Sequence, residues 1–276
     1  MNISAIYTIA KKEFFLNCKN AWIIIVSLLL ALMDYSIIHF NISFAGGRQN
    51  INSMSIMTTL VHLQMYLVPL FALILSYDGI LKEKELGTLN LLLTYPIMSS
   101  DIVLGKWLGY AFTLSLAIIL SFLFPIYELI ILNIGITSVL CLLVFSILLG
   151  FVFLSLGLFS STFSSNRSFI SAISIILYLF YVFLFDLLFV LGVISLNGII
   201  LPSSLNYVLL LNPIDLFRVI NLLYSLPTTT EEFYGVGSGI LQLTYCIFAI
   251  LFWIIIPLLF TMRKNFYSIK GKKLVN

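Results

Sequence analysis

The chain alternates long apolar segments with short polar ones. A helix needs about 20 mostly apolar residues to cross a bilayer. Six segments meet this requirement, at roughly 21–40, 60–80, 107–131, 138–162, 169–194 and 239–261. The pattern therefore predicts an all-α, polytopic membrane protein with six transmembrane helices in a single domain over residues 1–276.

The first 20 residues follow a different pattern. Their apolar residues recur at helical spacing and flank the charged cluster at 11–13; these apolar residues are Ile3, Ile6, Tyr7, Ala10 and Phe14. This pattern predicts an N-terminal amphipathic helix that lies along the membrane surface and contacts lipid. The alternative is a charged leader without a fixed structure.

The composition agrees with a membrane protein and excludes several activities. Apolar residues make up 61% of the chain and charged residues 9%, against about a half and a quarter in a soluble domain. No G-x-x-x-x-G-K-[ST] loop is present, so the chain itself is not expected to bind nucleotide phosphates. The cysteines, Cys18, Cys141 and Cys246, form no ligand cluster. We expect no metal site, no catalytic residue and no bound cofactor in this chain, and no nucleic-acid partner.

The basic residues predict the orientation in the membrane. With six spans, twelve of the fourteen lie in segments on one side, and only Arg48 and Arg218 lie on the other. Because loops rich in Lys and Arg stay in the cytoplasm, both termini and the charged segment 81–106 are predicted to be cytoplasmic. The predicted location is the cytoplasmic (inner) membrane of a bacterium or archaeon. The apolar run to Phe40 is too long for a cleaved signal peptide.

Segment 81–106 reads LKEKELGTLNLLLTYPIMSSDIVLGK and combines charges with a short apolar run. Gly87 and Thr88 open the run, Pro96 ends it, and Ser99 to Asp101 offer caps for the next helix. The run is too short to cross a bilayer, so it predicts a helix that is covered by a protein groove. The alternative is a helix that rests on lipid headgroups, which would favour Lys and Arg over Glu83 and Glu85.

This segment resembles the signature of type-2 ABC transporter permeases, which is E-x-E-x-G-T-L, then a Pro, then I-x-x-G-K. The resemblance implies a coupling segment that docks on a separate ATPase subunit, which carries ATP and Mg. It also implies that the chain works as a homodimer with two such subunits. The residues that we assign to coupling are Glu83, Glu85, Gly87, Thr88, Leu89, Leu92, Pro96, Gly105 and Lys106.

A narrower resemblance concerns two strings, LILSYDGILKEKELGTLNLLLTYP and LLLNPIDLFRVINLL. Both are similar to the permease subunit of the ABC complex that matures copper-containing nitrous oxide reductase. This resemblance implies a role in copper-site maturation and a periplasmic partner protein. Two alternatives stay open: a general type-2 exporter of a lipid, peptide or drug, and a membrane anchor that transports nothing.

Residues 196–238 separate the last two spans and predict an outer segment. Asn212 can cap a helix that begins at Pro213, in which Asp215 and Arg218 are three residues apart. Neither piece on the two sides of Asn212-Pro213 is long enough to span, which predicts a re-entrant or interfacial hairpin. A seventh span would move the basic C-terminal tail outside, against the charge distribution. We assign partner binding to these four residues and expect Arg218 to have an acidic partner.

Three acidic residues fall within or near the ends of the spans. Asp34, Glu128 and Asp186 are roughly 20, 31 and 26 Å along their helices from the cytoplasmic start. An acid inside a membrane is a functional candidate; the alternative is a place at the outer interface or pairing with the outer segment. Asp78 is expected to pair with Lys82. His39 and His62 lie near several methionines, but this pattern is too sparse to assign a metal site.

Small residues line one face of the third and fourth spans. Gly105 and Gly109 form a G-x-x-x-G pair, and the fourth span carries Ser146, Gly150, Gly157 and Ser161. Small faces allow helices to approach closely within a membrane. The spacing does not distinguish packing within one chain from packing between two copies.

Overall fold

The computed structural model describes residues 2–47, 52–85, 98–164, 166–195, 210–225 and 239–273. Within these residues all regular structure is helical. The helices are α1 (Ile3–Lys19), α2 (Trp22–Phe44), α3 (Ser53–Ser76), α4 (Leu81–Glu85), α5 (Ser99–Ile131), α6 (Ile136–Ser160), α7 (Arg167–Leu179), α8 (Phe185–Ser195), α9 (Pro213–Ser225) and α10 (Gly239–Lys273). A π-helical turn over Phe180–Leu184 joins α7 to α8.

Six of these segments are long and apolar enough to cross a membrane, as the sequence predicts. They are Trp22–Phe44, Ser53–Glu85, Ser99–Ile131, Ile136–Ser160, Arg167–Gly192 and Thr244–Arg263. Helix α9 has 13 residues, which is about 20 Å and too short to span. The prediction of six spans is therefore confirmed for the described residues, and α9 alone cannot be a seventh.

Side-chain caps fix where several helices begin. Asn52 accepts a hydrogen bond from the Met54 N–H at 3.0 Å at the start of α3. Asp101 lies in the first turn of α5, where it accepts hydrogen bonds from the backbone N–H groups of Met98 and Asn2, both at 3.2 Å. A single carboxylate thus accepts hydrogen bonds from backbone N–H groups at the starts of two helices, groups that have no partner within their own helix. This carboxylate fixes the start of α1 beside the start of α5.

The N-terminal amphipathic helix is present, and part of its apolar stripe packs against the rest of the chain. Helix α1 buries Ile6, Ala10 and Glu13, whereas Ile3 and Tyr7 are exposed and can contact lipid. The place of α1 along the membrane surface stays a prediction. The face that α1 buries is the one that fits against α5, and it includes a charged residue.

Glycines on α5 allow this contact. A Cβ atom added to Gly105 would lie 2.8 Å from the Ile9 Cβ, and one added to Gly109 would lie 2.7 Å from the Glu13 Cβ. Both distances are shorter than Cβ contacts in real proteins. The G-x-x-x-G pair of the third span therefore packs against α1 of the same chain, which answers the question that the spacing alone leaves open.

Helix α6 is the most extensively buried span, and its small residues also pack within the chain. An added Cβ at Gly150 would lie 2.5 Å from Leu114 Cδ2 of α5, and one at Gly157 would overlap Ser76 of α3. The fifth span, by contrast, is the least covered by the rest of the chain. Helix α6 is therefore the central element on which α3 and α5 pack.

We predict that Gly105→Ala weakens the docking of α1. The backbone carbonyl oxygen of Ile6 lies 3.0 Å from the position of the new Cβ, so α1 as a whole has to move away. The expected loss of stability is about 1–3 kcal/mol, measured as thermal unfolding of the purified protein in detergent. The control is Gly192→Ala, where the new Cβ has nothing within 4 Å. A Gly105→Ala protein as stable as the control would contradict this packing.

Candidate functional site

A buried lysine joins three helices at the α1 end of the bundle. The Lys106 ammonium of α5 lies 2.7 Å from Glu13 Oε1 of α1 and 3.0 Å from Glu83 Oε1 of α4. All three residues are buried, with Lys106 only 2% exposed. A charge removed from water must be paired, so this group, which we call the Lys106 triad, fixes the relative positions of α1, α4 and α5.

A close contact next to the triad brings α4 into place. Tyr110, one turn after Lys106, is buried and lies against Gly79 in the turn between α3 and α4. An added Cβ at Gly79 would lie 2.9 Å from the Tyr110 hydroxyl oxygen. Since any larger residue would push the turn away from α5, Gly79 allows Glu83 to reach Lys106.

A second ion group lies on the same turn. The Asp78 carboxylate lies 3.1 Å from Lys82 Nζ and 3.2 Å from Arg167 Nη2. The expected pair with Lys82 is confirmed, and Arg167 adds a link to the start of the fifth span. Both cations have exposed side chains, so each pair contributes at most about 1 kcal/mol. These pairs orient the turn, but they contribute less to the stability of this region than the triad does.

The two glutamates of the coupling segment point in different directions. We assigned both to coupling, but Glu83 faces the interior of its own chain, where it pairs with Lys106, so it cannot form a direct contact with a partner without leaving the triad. The pattern missed this because the charged partners of Glu83 are distant in the sequence. Glu85 is exposed and stays available to a partner. The remaining residues of the predicted segment, Gly87, Thr88, Leu89, Leu92 and Pro96, lie outside the described residues.

At the other end of the bundle, Asn212 fixes the start of α9. Its side-chain oxygen accepts a hydrogen bond from the Ile214 N–H at 3.0 Å, which is the predicted cap on a helix that begins at Pro213. Its Nδ2 group donates to Asp215 Oδ2 at 2.9 Å and to the Tyr181 carbonyl at 3.1 Å. Tyr181 lies in the π-helical turn, where the regular i→i−4 pattern is interrupted. Asn212 therefore connects α9 to this irregularity in the fifth span.

Arg218 of α9 has two carboxylate partners. Its Nη2 lies 3.1 Å from Asp186 Oδ2 of the fifth span, and its Nη1 lies 3.3 Å from Asp215 Oδ1. The expected acidic partner is confirmed, and Asp186 is the member of the three candidates that supplies it. Nη2 also approaches the Met65 sulfur of α3 at 3.8 Å. Burial and the nearby Asp186 carboxylate raise the pKa of Asp215 to about 6.

Helix α9 is buried on most sides. Its core residues are Ile214, Leu216, Phe217, Val219 and Ile220, and Asn221 is also buried. Helix α9 packs against α3, α6 and α10. Helix α9 is therefore held by the bundle and does not rest with one polar face in water, as a helix on a membrane surface does; the choice between a re-entrant and an interfacial hairpin stays a prediction. The other half of the predicted hairpin lies outside the described residues.

The other two intramembrane acids differ from Asp186. Asp34 is only 1% exposed, and it accepts hydrogen bonds from the Gln64 side chain. Among the described residues Asp34 is therefore enclosed between α2 and α3 and pairs with Gln64 instead of Arg218; its depth in the membrane stays a prediction. Glu128 is half-buried near the end of α5, and its role stays a prediction.

Comparisons with known proteins agree on one family. A family model described as ABC-2 family transporter protein matches residues 7–268. A Pseudomonas aeruginosa protein named "Probable ABC transporter permease protein NosY" is 37% identical over 223 residues, which are 79% of this chain and 81% of the relative. A Stutzerimonas stutzeri protein of the same name is 32% identical over 249 residues, 87% of each chain.

We predict that Lys106→Met destabilises the protein strongly. The substitution keeps the length of the side chain but leaves the Glu13 and Glu83 carboxylates buried without their shared cation. Removing one partner of a buried pair costs about 3–5 kcal/mol. Thermal unfolding of the purified protein measures the loss.

Two further variants make this test specific. Lys82→Met removes an exposed cation from the same region and should cost less than about 1 kcal/mol. Combining Lys106→Met with Glu13→Gln and Glu83→Gln removes all three charges and should recover most of the lost stability. If Lys106→Met lowers the stability of the protein no more than Lys82→Met does, the triad does not hold the three helices together.

Proposed function

Because the chain belongs to the ABC-2 family of transporter permeases, we propose that it transmits ATP-driven motion from an ATPase subunit through the Lys106 triad to α9. As an ABC permease it works with an ATPase, since the family implies one. The proposed assembly contains two copies of this chain and two ATPase subunits, which bind ATP and Mg.

One observation carries this proposal. The coupling segment begins with two glutamates two residues apart, of which Glu85 is exposed and Glu83 is buried in the triad. Glu85 is less than one helical turn from Glu83, which contacts Lys106. A force on the exposed side of α4 therefore reaches Lys106 directly, and through Lys106 it reaches α1 and α5. Helix α5 then extends over 33 residues, about 50 Å, which is enough to cross the membrane.

The proposed orientation places the Lys106 triad in the cytoplasm and α9 at the outer face. The excess of Lys and Arg in the loops on the triad side supports it, as does the even number of candidate spans among the described residues. Both termini are then cytoplasmic, and the ATPase contacts the side on which Glu85 is exposed.

We further propose that the complex serves the maturation of copper-containing nitrous oxide reductase, with a periplasmic partner on the outer segment. Support comes from the resemblance of the strings at 73–96 and 209–223 to the permease of that system, and from two relatives that share the name NosY. The second string includes Asn212, Asp215 and Arg218, the residues that connect α9 to the fifth span. Helix α9 is therefore the element through which motion of the spans would reach the partner.

We predict that Glu85→Lys impairs binding of the ATPase while the permease stays folded. Since Glu85 is exposed, its reversal leaves the core intact and acts on the partner surface. Copurification of the ATPase should fall about tenfold, or about 1.4 kcal/mol, with unchanged thermal unfolding of the permease. The control is Lys19→Glu, another exposed charge reversal. An unchanged ATPase yield and ATP hydrolysis rate would contradict the proposed contact.

The same position tests the orientation. In a chain without the native cysteines, Glu85→Cys should react with a membrane-impermeant maleimide only after lysis. Reaction in intact cells would place this segment outside and overturn the topology.

We predict that Arg218→Gln lowers the copper content of nitrous oxide reductase in a host that makes it. Removing Arg218 leaves Asp186 and Asp215 without their shared cation and detaches α9 from the fifth span. The readout is copper bound per purified reductase at equal permease expression. Arg48→Gln, at the other basic residue on the predicted outer side, is the control and should have no effect. Adding Asp186→Asn should restore part of the copper content. If neither Arg218→Gln nor Arg48→Gln changes the copper content of the reductase, α9 has no part in the proposed function.

A further inference from the structure

A further polar contact lies within the bundle, between α2 and α3. The Gln64 Nε2 of α3 donates to both oxygens of Asp34 of α2, at 3.1 Å to Oδ1 and 2.9 Å to Oδ2. Gln64 is 0% exposed and Asp34 is 1% exposed. The pair is thus a closed contact between the first and second spans.

The pair lies at the middle of both helices. Asp34 is about 18 Å from the start of α2 at Trp22 and about 15 Å from its end at Phe44. Gln64 is about 17 Å from Ser53 and about 18 Å from Ser76 on α3. Both side chains therefore lie well away from the helix ends and inside the bundle, where an ionised carboxylate without a cation is costly.

No cation compensates Asp34 in the part of the chain that the structure describes. No Lys, Arg or His nitrogen of these residues lies within 4.0 Å of its carboxylate. The titratable groups on the same half of the elements packed around the pair are Tyr35 and His39 on α2, His62 and Tyr66 on α3, Tyr127 and Glu128 on α5, and Asp215 and Arg218 on α9. Of these, Arg218 is already engaged by Asp186 and Asp215.

Gln64 provides the second observation. Its side-chain oxygen is buried and has no hydrogen-bond partner among the described residues. An ionised carboxylate is an acceptor only, so it cannot satisfy this oxygen. A small rotation of the carboxamide would place Nε2 against one Asp34 oxygen and Oε1 against the other. That arrangement is favourable only when Asp34 carries a proton to donate.

We propose that Asp34 and Gln64 form a proton-binding site, in which the protonated Asp34 carboxyl donates to the Gln64 oxygen while Gln64 Nε2 donates back. The proton removes the buried charge and supplies the donor that Oε1 lacks. A metal cation fits less well, because these two side chains offer too few oxygens for Mg²⁺ or Ca²⁺. The site closes α2 on α3, and a motion that separates the two helices would expose the proton to exchange.

Infrared spectroscopy of the full chain with its ATPase subunits in lipid nanodiscs tests this site. At neutral pH the wild-type complex should show the C=O stretching band of a protonated carboxylic acid, which shifts in D₂O. Asp34→Asn should remove one such group per permease chain. Asp186→Asn, the matched control, should instead remove one ionised carboxylate, because Asp186 pairs with Arg218.

Each other outcome overturns the proposal. A wild-type complex without a protonated-carboxyl band shows that Asp34 is ionised. A band that persists in full in Asp34→Asn belongs to another residue. An Asp34→Asn protein that does not assemble would also contradict the proposal, because a neutral amide of nearly the same shape should replace a neutral acid.

Discussion

The ammonium of Lys106 sets the geometry of the α1 end of the bundle. Because it is almost fully buried, it cannot rely on water and must be matched by carboxylates from the protein. The two that it finds come from α1 and α4, far apart in sequence. The consequence is that an N-terminal helix without a span of its own becomes part of the bundle. Gly105 and Gly109 let α1 approach closely enough for Glu13 to reach the lysine, and Gly79 does the same for Glu83.

The α9 end uses the same arrangement with different residues. Arg218 is shared by Asp186 and Asp215, as Lys106 is shared by Glu13 and Glu83. A cation between two carboxylates stays paired with one of them when it moves away from the other. Such groups hold helices together and still allow them to shift by small amounts. In the proposed function this property suits an element that passes motion on, since each end can rearrange without first breaking every ionic contact.

The sequence predicted the elements of this fold better than their contacts. Span length and charge distribution are local properties, so the six spans, the N-terminal helix and the cap at Asn212 followed from the pattern. The acidic partner of Arg218 was also foreseen, because a guanidinium on an apolar helix needs one. The inward direction of Glu83 could not be read in the same way, since it depends on Lys106 and Glu13 meeting in three dimensions. The burial of Glu13 had the same cause, because glycines on α5 select the face of α1 that packs against it.

The Asp34–Gln64 contact differs from the ion groups in how it is compensated. Lys82, Arg167 and Arg218 keep part of their side chains exposed, so water can replace some of their protein contacts at moderate cost. Lys106 is buried but lies between two carboxylates. Asp34 and Gln64 have neither form of compensation, so a stable contact between them has to be neutral. A neutral contact of this kind holds α2 on α3 while the ionic contacts elsewhere rearrange. The proton on Asp34 would then decide whether α2 stays on α3, because the ionised carboxylate cannot satisfy the Gln64 oxygen and carries a buried charge without a cation beside it.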